Sequence, residues 1–379
     1  MALWKKKEKK QPSPPQEPRP PRPSPALPRH ALVWIDASYA DLPARCFRGL
    51  ALAEAFKQAA VPQVTLACLP IRPLPAEAEK RAVHWLNIRP NDAPALFHEI
   101  LKSTQADLVI ADCPTPPRFQ PAPPLALFAL TSDLFSEALL VSPAVDSLLI
   151  PGLVCPPDFS SLSLPPSRLA DCFHGTPYIP LLRPPPAGNN PAAAPAATGE
   201  KTILIAVPGN VNPESAGALL ECARGSWKGP IQILADVPPS AGERLREIQG
   251  GENTVLHEPS PADRWKAIGA AQAIVSFPGL PVYEFLYNGK PVILLPRSEP
   301  EECICRLLES RGAARVVPAA GSVNLEKLKD SLTELIQDET LRKNLEQKAK
   351  EIVEEGGARN AVNLWLHRYR LRAGMGKNT

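Results

Sequence analysis

Two aspartates close short apolar runs, Asp36 at the end of ALVWID and Asp112 at the end of LVIAD. A carboxylate so placed can take a proton or accept from a hydroxyl; it can equally cap the turn that follows. Between them stand Arg45 and Arg48, whose guanidinium groups stay charged at neutral pH. They suit phosphate and cannot serve as a general base. Further on, Gly209 and Asn210 end another apolar run, Ser276 and Gly279 border a proline-rich turn, and Glu284 follows on an apolar stretch with helical spacing. Gly209 and Asn210 would give phosphate a helix N-terminus. Ser276 and Gly279 can donate hydrogen bonds, and Glu284 can accept them. The plainer readings are a strand–helix turn at Gly209 and Asn210, and a Glu284 in the first helical turn that complements the helix dipole. No Ser-His-Asp order, zinc-ligand spacing or P-loop occurs, so no cofactor or metal is implied.

These residues need elements to hold them. Short apolar runs alternate with helical patterns: Ala31–Ser38, Val64–Leu69 and Leu108–Ala111 read as strands, and Phe47–Ala59 and Ala93–Thr104 as helices. Leu125–Leu130 and Ser147–Leu149 add further short strands. Residues 185–200, PPAGNNPAAAPAATGE, form a linker by composition, after which the pattern restarts at Thr202–Ala206. The expectation is an α/β protein: a Lys/Pro/Arg-rich tail over 1–29, a β/α domain over 30–184, the linker, a second β/α domain over 201–372 and a short tail over 373–379. The candidate residues end strands, and ligands of open parallel sheets sit at the carboxyl ends of strands.

The order strand–Ser276–turn–Glu284 helix–Gly289-Lys290-Pro291–strand–Pro296 resembles the donor half of GT-B glycosyltransferases. It is most similar to the MurG-type enzymes and to the PseG/SpsG group of sugar-nucleotide hydrolases. Asp36-Ala37-Ser38 through Arg48-Gly49-Leu50, the strand ending at Asp112, and Gly356-Gly357-Ala358-Arg359 extend the likeness over roughly 31–184 and 201–370. It implies two Rossmann-like domains, a cleft between them, UDP or a UDP-sugar as ligand, and a ribose role for Glu284. The departures are specific. Where the hydrolase group has Gly-x-Gly-His, this chain has a loop reading Leu42-Pro43-Ala44-Arg45. The family's Asn-Gln is replaced by Pro300-Glu301, and Cys113 follows Asp112 in place of histidine. Three readings stay open: a UDP-sugar hydrolase using Asp36 or Asp112, with Arg45 and Arg48 on phosphate; a glycosyltransferase; and a non-catalytic relative that binds a sugar nucleotide or a protein.

Of 379 residues, 42 are Lys or Arg and 39 Asp or Glu. That balance argues against nucleic acid as the partner. The start, MALWKKKEKK, leads into a proline tract instead of an apolar core, so it does not read as a signal peptide. Its lysines suit an anionic membrane surface, although a solvated extension is the weightier reading. No apolar run reaches a membrane span. The eight cysteines, lacking any CxxC pair, read as free thiols of a cytoplasmic protein.

Overall fold

The computed structural model of the chain describes residues 27–36, 42–68, 74–89, 93–113, 126–130, 145–153, 171–183, 201–209, 211–236, 243–244, 247, 254–257, 259–318 and 323–375. The first sheet comprises β1 (His30–Ile35), β2 (Gln63–Cys68), β3 (His84–Asn87), β4 (Leu108–Asp112), β5 (Ala126–Leu130), β6 (Ser147–Pro151) and β7 (Cys172–Gly175). Its order is β3-β2-β1-β4-β5-β6-β7. The second holds β8 (Thr202–Pro208), β9 (Ile231–Asp236), β10 (Thr254–His257), β11 (Ala271–Ser276), β12 (Val292–Leu294) and β13 (Arg315–Val316), ordered β10-β9-β8-β11-β12-β13. Every ladder between named strands is parallel. Central strands such as LVIAD are buried along their whole length, as a sheet covered on both faces requires. Each sheet reverses direction beside its first strand, between β1 and β4 and between β8 and β11. This is the switch point at which such sheets open a crevice.

The helices are α1 (Leu42–Gln58), α2 (Leu74–Lys80), α3 (Ala93–Thr104), α4 (Pro213–Ser226), α5 (Pro261–Ala270), α6 (Leu280–Tyr287), α7 (Glu299–Ser310), α8 (Leu325–Gln337), α9 (Glu339–Lys350) and α10 (Gly357–Met375). Leu42–Arg45, expected as a loop, is the first turn of α1. Proline costs nothing there, because the first N–H groups of a helix lack intrahelical partners in any case. The acidic stretch after Pro296 is likewise the start of α7, where Glu299, Glu301 and Glu302 complement the helix dipole. The long helical run after Leu325 divides at Asp338, whose carboxylate accepts from the Leu341 N–H and starts a new helix.

Two apolar layers cover each sheet. Although α10 follows the second sheet in sequence, its apolar face packs into the first core. Trp365 stacks on Phe56 of α1 at 6.3 Å, and the Tyr369 hydroxyl donates to Asp107 Oδ2 at 3.1 Å. The chain therefore crosses between the halves twice, and the crossings touch. Asn360 Nδ2 donates to the Pro177 carbonyl at 2.9 Å, and a Cβ on Gly357 would fall 2.1 Å from the Ile179 carbonyl oxygen. Cys46, Cys68, Cys113, Cys172, Cys222 and Cys305 are free, but Cys303 is disulfide-bonded, so the thiols give no argument for a reducing compartment. No helix among the described residues is long and apolar enough to cross a membrane.

Candidate functional site

The candidates of the first domain meet in its interior. Asp112 is fully buried at the end of β4, and Ile35 is its register partner on β1. Arg48 Nε donates to Asp112 Oδ2 at 2.8 Å, its Nη2 donates to Oδ1 at 2.6 Å, and Arg45 Nη1 donates to Oδ1 as well. Both arginines belong to α1 and are as buried as the aspartate. Both oxygens of this carboxylate are taken up by guanidinium donors away from water. Arg45 and Arg48 thus ion-pair with Asp112 inside the first domain. Asp36 is only half-buried; its N–H donates to the Asp112 carbonyl at 3.0 Å. Beside them, burial pushes the Cys113 thiol well up, so it stays protonated.

A cleft partly open to solvent lies at the start of α1. Pro43 and Ala44 of α1 form one wall, and Gly209, Asp236, Ser276 and Gly279 line the other. The register of β11 on β8 pairs Ser276 with Ala206 and so brings the loops after both strands to one edge. Gly279 sits at the N-cap of α6 with φ of 145°, a conformation that favours glycine. The Ser276 hydroxyl donates to the Phe277 carbonyl at 2.9 Å. Asn210 lies outside the described residues. The acidic start of α7 is absent from the lining. Glu301 accepts from the Arg297 N–H at 2.6 Å, which turns its charge back onto its own turn.

Glu284 is placed differently from the expectation. It is the fifth residue of α6, beyond the first turn, and is absent from the pocket lining. Its Oε2 accepts from Arg264 Nε at 2.5 Å. Burial pushes the Glu284 carboxyl up, and Arg264 opposes that rise. The other side of Arg264 belongs to Asp236, with Nη1 at 3.2 and 3.1 Å from its two oxygens. Burial works against the Arg264 charge, but Asp236 and Glu284 more than offset it and hold the guanidinium above its ordinary value. The guanidinium carbon stands 5.7 Å from the Phe47 ring centroid, so this network reaches from the second domain to α1 of the first.

Sequence reasoning missed Asp236 and Arg264. One signal was present: Arg264 lies between Pro261 and Ile268 at helical spacing, a charge within an apolar stripe that it shares with Trp265. The domains meet elsewhere too. Leu153 N–H donates to the Tyr283 hydroxyl at 2.9 Å, and Trp265 Nε1 donates to the Leu182 carbonyl at 2.8 Å. Among the described residues, no cluster of His, Cys, Asp or Glu could hold a metal ion.

No protein-family model matches the chain, and no curated protein matches it in sequence. Solved structures do match in three dimensions. MurG of Acinetobacter baumannii is 16% identical with a TM-score of 0.52, over 89% of this chain and 99% of that one. A UDP-N-acetylglucosamine 2-epimerase is 12% identical with a TM-score of 0.59, over 89% and 95%. S. aureus MnaA, solved with UDP, is 13% identical with a TM-score of 0.60, over 88% and 95%. These likenesses span nearly the whole of each neighbour and cover both sheets in one arrangement. The chain therefore has the GT-B fold, two Rossmann-like domains facing each other across a cleft.

Proposed function

We propose that this protein binds a UDP-linked sugar in the cleft and takes part in the nucleotide-sugar chemistry of glycan synthesis. The observation that carries the reading is the pocket at the carboxyl ends of β8, β9 and β11, walled on its far side by the start of α1. The nucleotide rests on the second domain, beside Gly209 and Gly279, where the lack of side chains lets a ligand approach the backbone closely. Support comes from the fold shared with MurG, a UDP-N-acetylglucosamine 2-epimerase and the UDP-bound MnaA. Calorimetric titration with UDP and UDP-N-acetylglucosamine tests it. Micromolar binding of both is expected, and failure of the folded protein to bind either nucleotide would sink the reading.

A second reading, hydrolysis at the sugar–phosphate bond as in the PseG/SpsG group, rests on Asp36. This residue is half-buried just past β1, with its N–H donating to the Asp112 carbonyl. Incubation with UDP-N-acetylglucosamine should then release free sugar, with the rate falling at least about a hundredfold in Asp36→Asn. Binding without release by the wild type would leave a glycosyltransferase or a non-catalytic sugar-nucleotide binder.

A further inference from the structure

The sulfurs of Cys46 and Cys68 stand 2.7 Å apart in the first core, and neither residue has any exposed surface. Cys46 lies in α1, and Cys68 closes β2, 22 positions further on. A buried thiol is ordinarily a small apolar filler among carbon neighbours. Here two thiols face each other instead, held together by the packing of α1 on β2. A disulfide sets its sulfurs about 2 Å apart, so this pair has less than about 1 Å to close. The chain already carries one cystine, at Cys303.

We propose that Cys46 and Cys68 become joined by a disulfide when the chain folds in the presence of an oxidising disulfide, such as oxidised glutathione. One cysteine thiolate attacks the oxidant, forms a mixed disulfide and releases one thiol. The second cysteine thiolate then attacks the sulfur of the first, and the other half of the oxidant leaves as a thiol. Two electrons pass from the cysteines to the oxidant, and the two protons they lose end on the released thiols. The exchange belongs to the folding chain, before α1 closes over β2, because both sulfurs are covered afterwards. Burial pushes the Cys68 thiol well up, so a pair that packs while reduced keeps its protons and stays unreactive. A bond formed in time is sheltered from reductants by the same cover. It ties to β2 the first turn of α1, whose Pro43 and Ala44 wall the cleft.

The test is to express the full-length protein in an oxidising and in a reducing host. Free thiols are alkylated in denaturant without reductant, and the peptides are mapped by mass spectrometry. The oxidising host should yield a linked pair of peptides carrying Cys46 and Cys68, lighter by two hydrogens than their sum. The reducing host should yield both cysteines alkylated. Recovery of both as alkylated from the oxidising host, or linked to other cysteines, overturns the proposal. Thermal melting gives a second readout. Adding reductant should lower the melting temperature of the oxidised wild type further than that of Cys46→Ser, where only bonds elsewhere, such as that at Cys303, can break. Equal falls in the two proteins would overturn the proposal as well.

Discussion

Arg48 and Asp112, 64 residues apart in sequence, are joined by a guanidinium fork with Nε 2.8 Å from Oδ2 and Nη2 2.6 Å from Oδ1. Arg45 adds a second cation to the same carboxylate. Removing the carboxylate charge would leave two buried guanidinium groups facing each other. Asp112→Asn should therefore cost about 3–5 kcal/mol of stability, the usual penalty for breaking a buried pair. A urea titration measures it. A loss of under about 1 kcal/mol would mean that water reaches this cluster.

His30 gives a pH signature. Its Nδ1–H donates to the Thr104 carbonyl at 2.8 Å, its Nε2 accepts from the Thr65 hydroxyl at 2.8 Å, and its backbone N–H donates to Asp107. Burial lowers its pKa, against the raising effects of Thr104 and Asp107, with His84 adding a small lowering. The unfolded chain therefore takes up a proton near pH 6.5, where the folded one resists. This contribution to stability is complete above that pH and shrinks as pH falls through the lowered folded value. Urea midpoints should drop as pH falls below about 6.5 in the wild type and drop less steeply in His30→Gln. Parallel slopes would refute this assignment.

Gly279→Ala tests the turn at the pocket. At φ of 145° an alanine is strained even though space is open, with the nearest atom to its Cβ 3.7 Å away. The expected loss is about 1–2 kcal/mol of stability, accompanied by weaker UDP binding as the start of α6 shifts. Thermal melting and calorimetry on the same sample would show both, and an unchanged melting point would rule out the strain.

Tyr283→Phe probes the contact between domains. It leaves the Leu153 N–H buried without its acceptor, which should cost about 1–3 kcal/mol. Hydrogen exchange of the Leu153 amide should accelerate. Exchange at the wild-type rate would mean that the amide finds another partner.

The fold was legible because buried parallel strands write themselves as apolar runs: Leu108–Asp112 and Ala271–Ser276 allow little else. The strands that escaped notice, His84–Asn87 and Cys172–Gly175, are short and lie at the two edges of their sheet, where exposure removes the pattern. Helix α2 carries Glu77, Glu79 and Lys80 within 7 residues and shows no stripe. The site was legible as a place and less so as a set of partners. Gly209, Ser276 and Gly279 line the cleft, but nothing local shows that Asp112 meets two arginines or that Glu284 meets Arg264. Those pairings join residues 20 to 67 positions apart and depend on the register of whole strands.

The stacking of Trp365 on Phe56 bears on how the protein is made. A chain emerging from the ribosome exposes the first sheet and α1 long before α10 exists, so Phe56 and Tyr369's partner Asp107 wait without their cover. The N-terminal half can collapse early but cannot reach its final packing until nearly every other element has been synthesised. During that interval its apolar flank is open to chaperones or to a neighbouring nascent chain. A nonsense mutation before residue 357 would hence damage the half of the molecule that was made first.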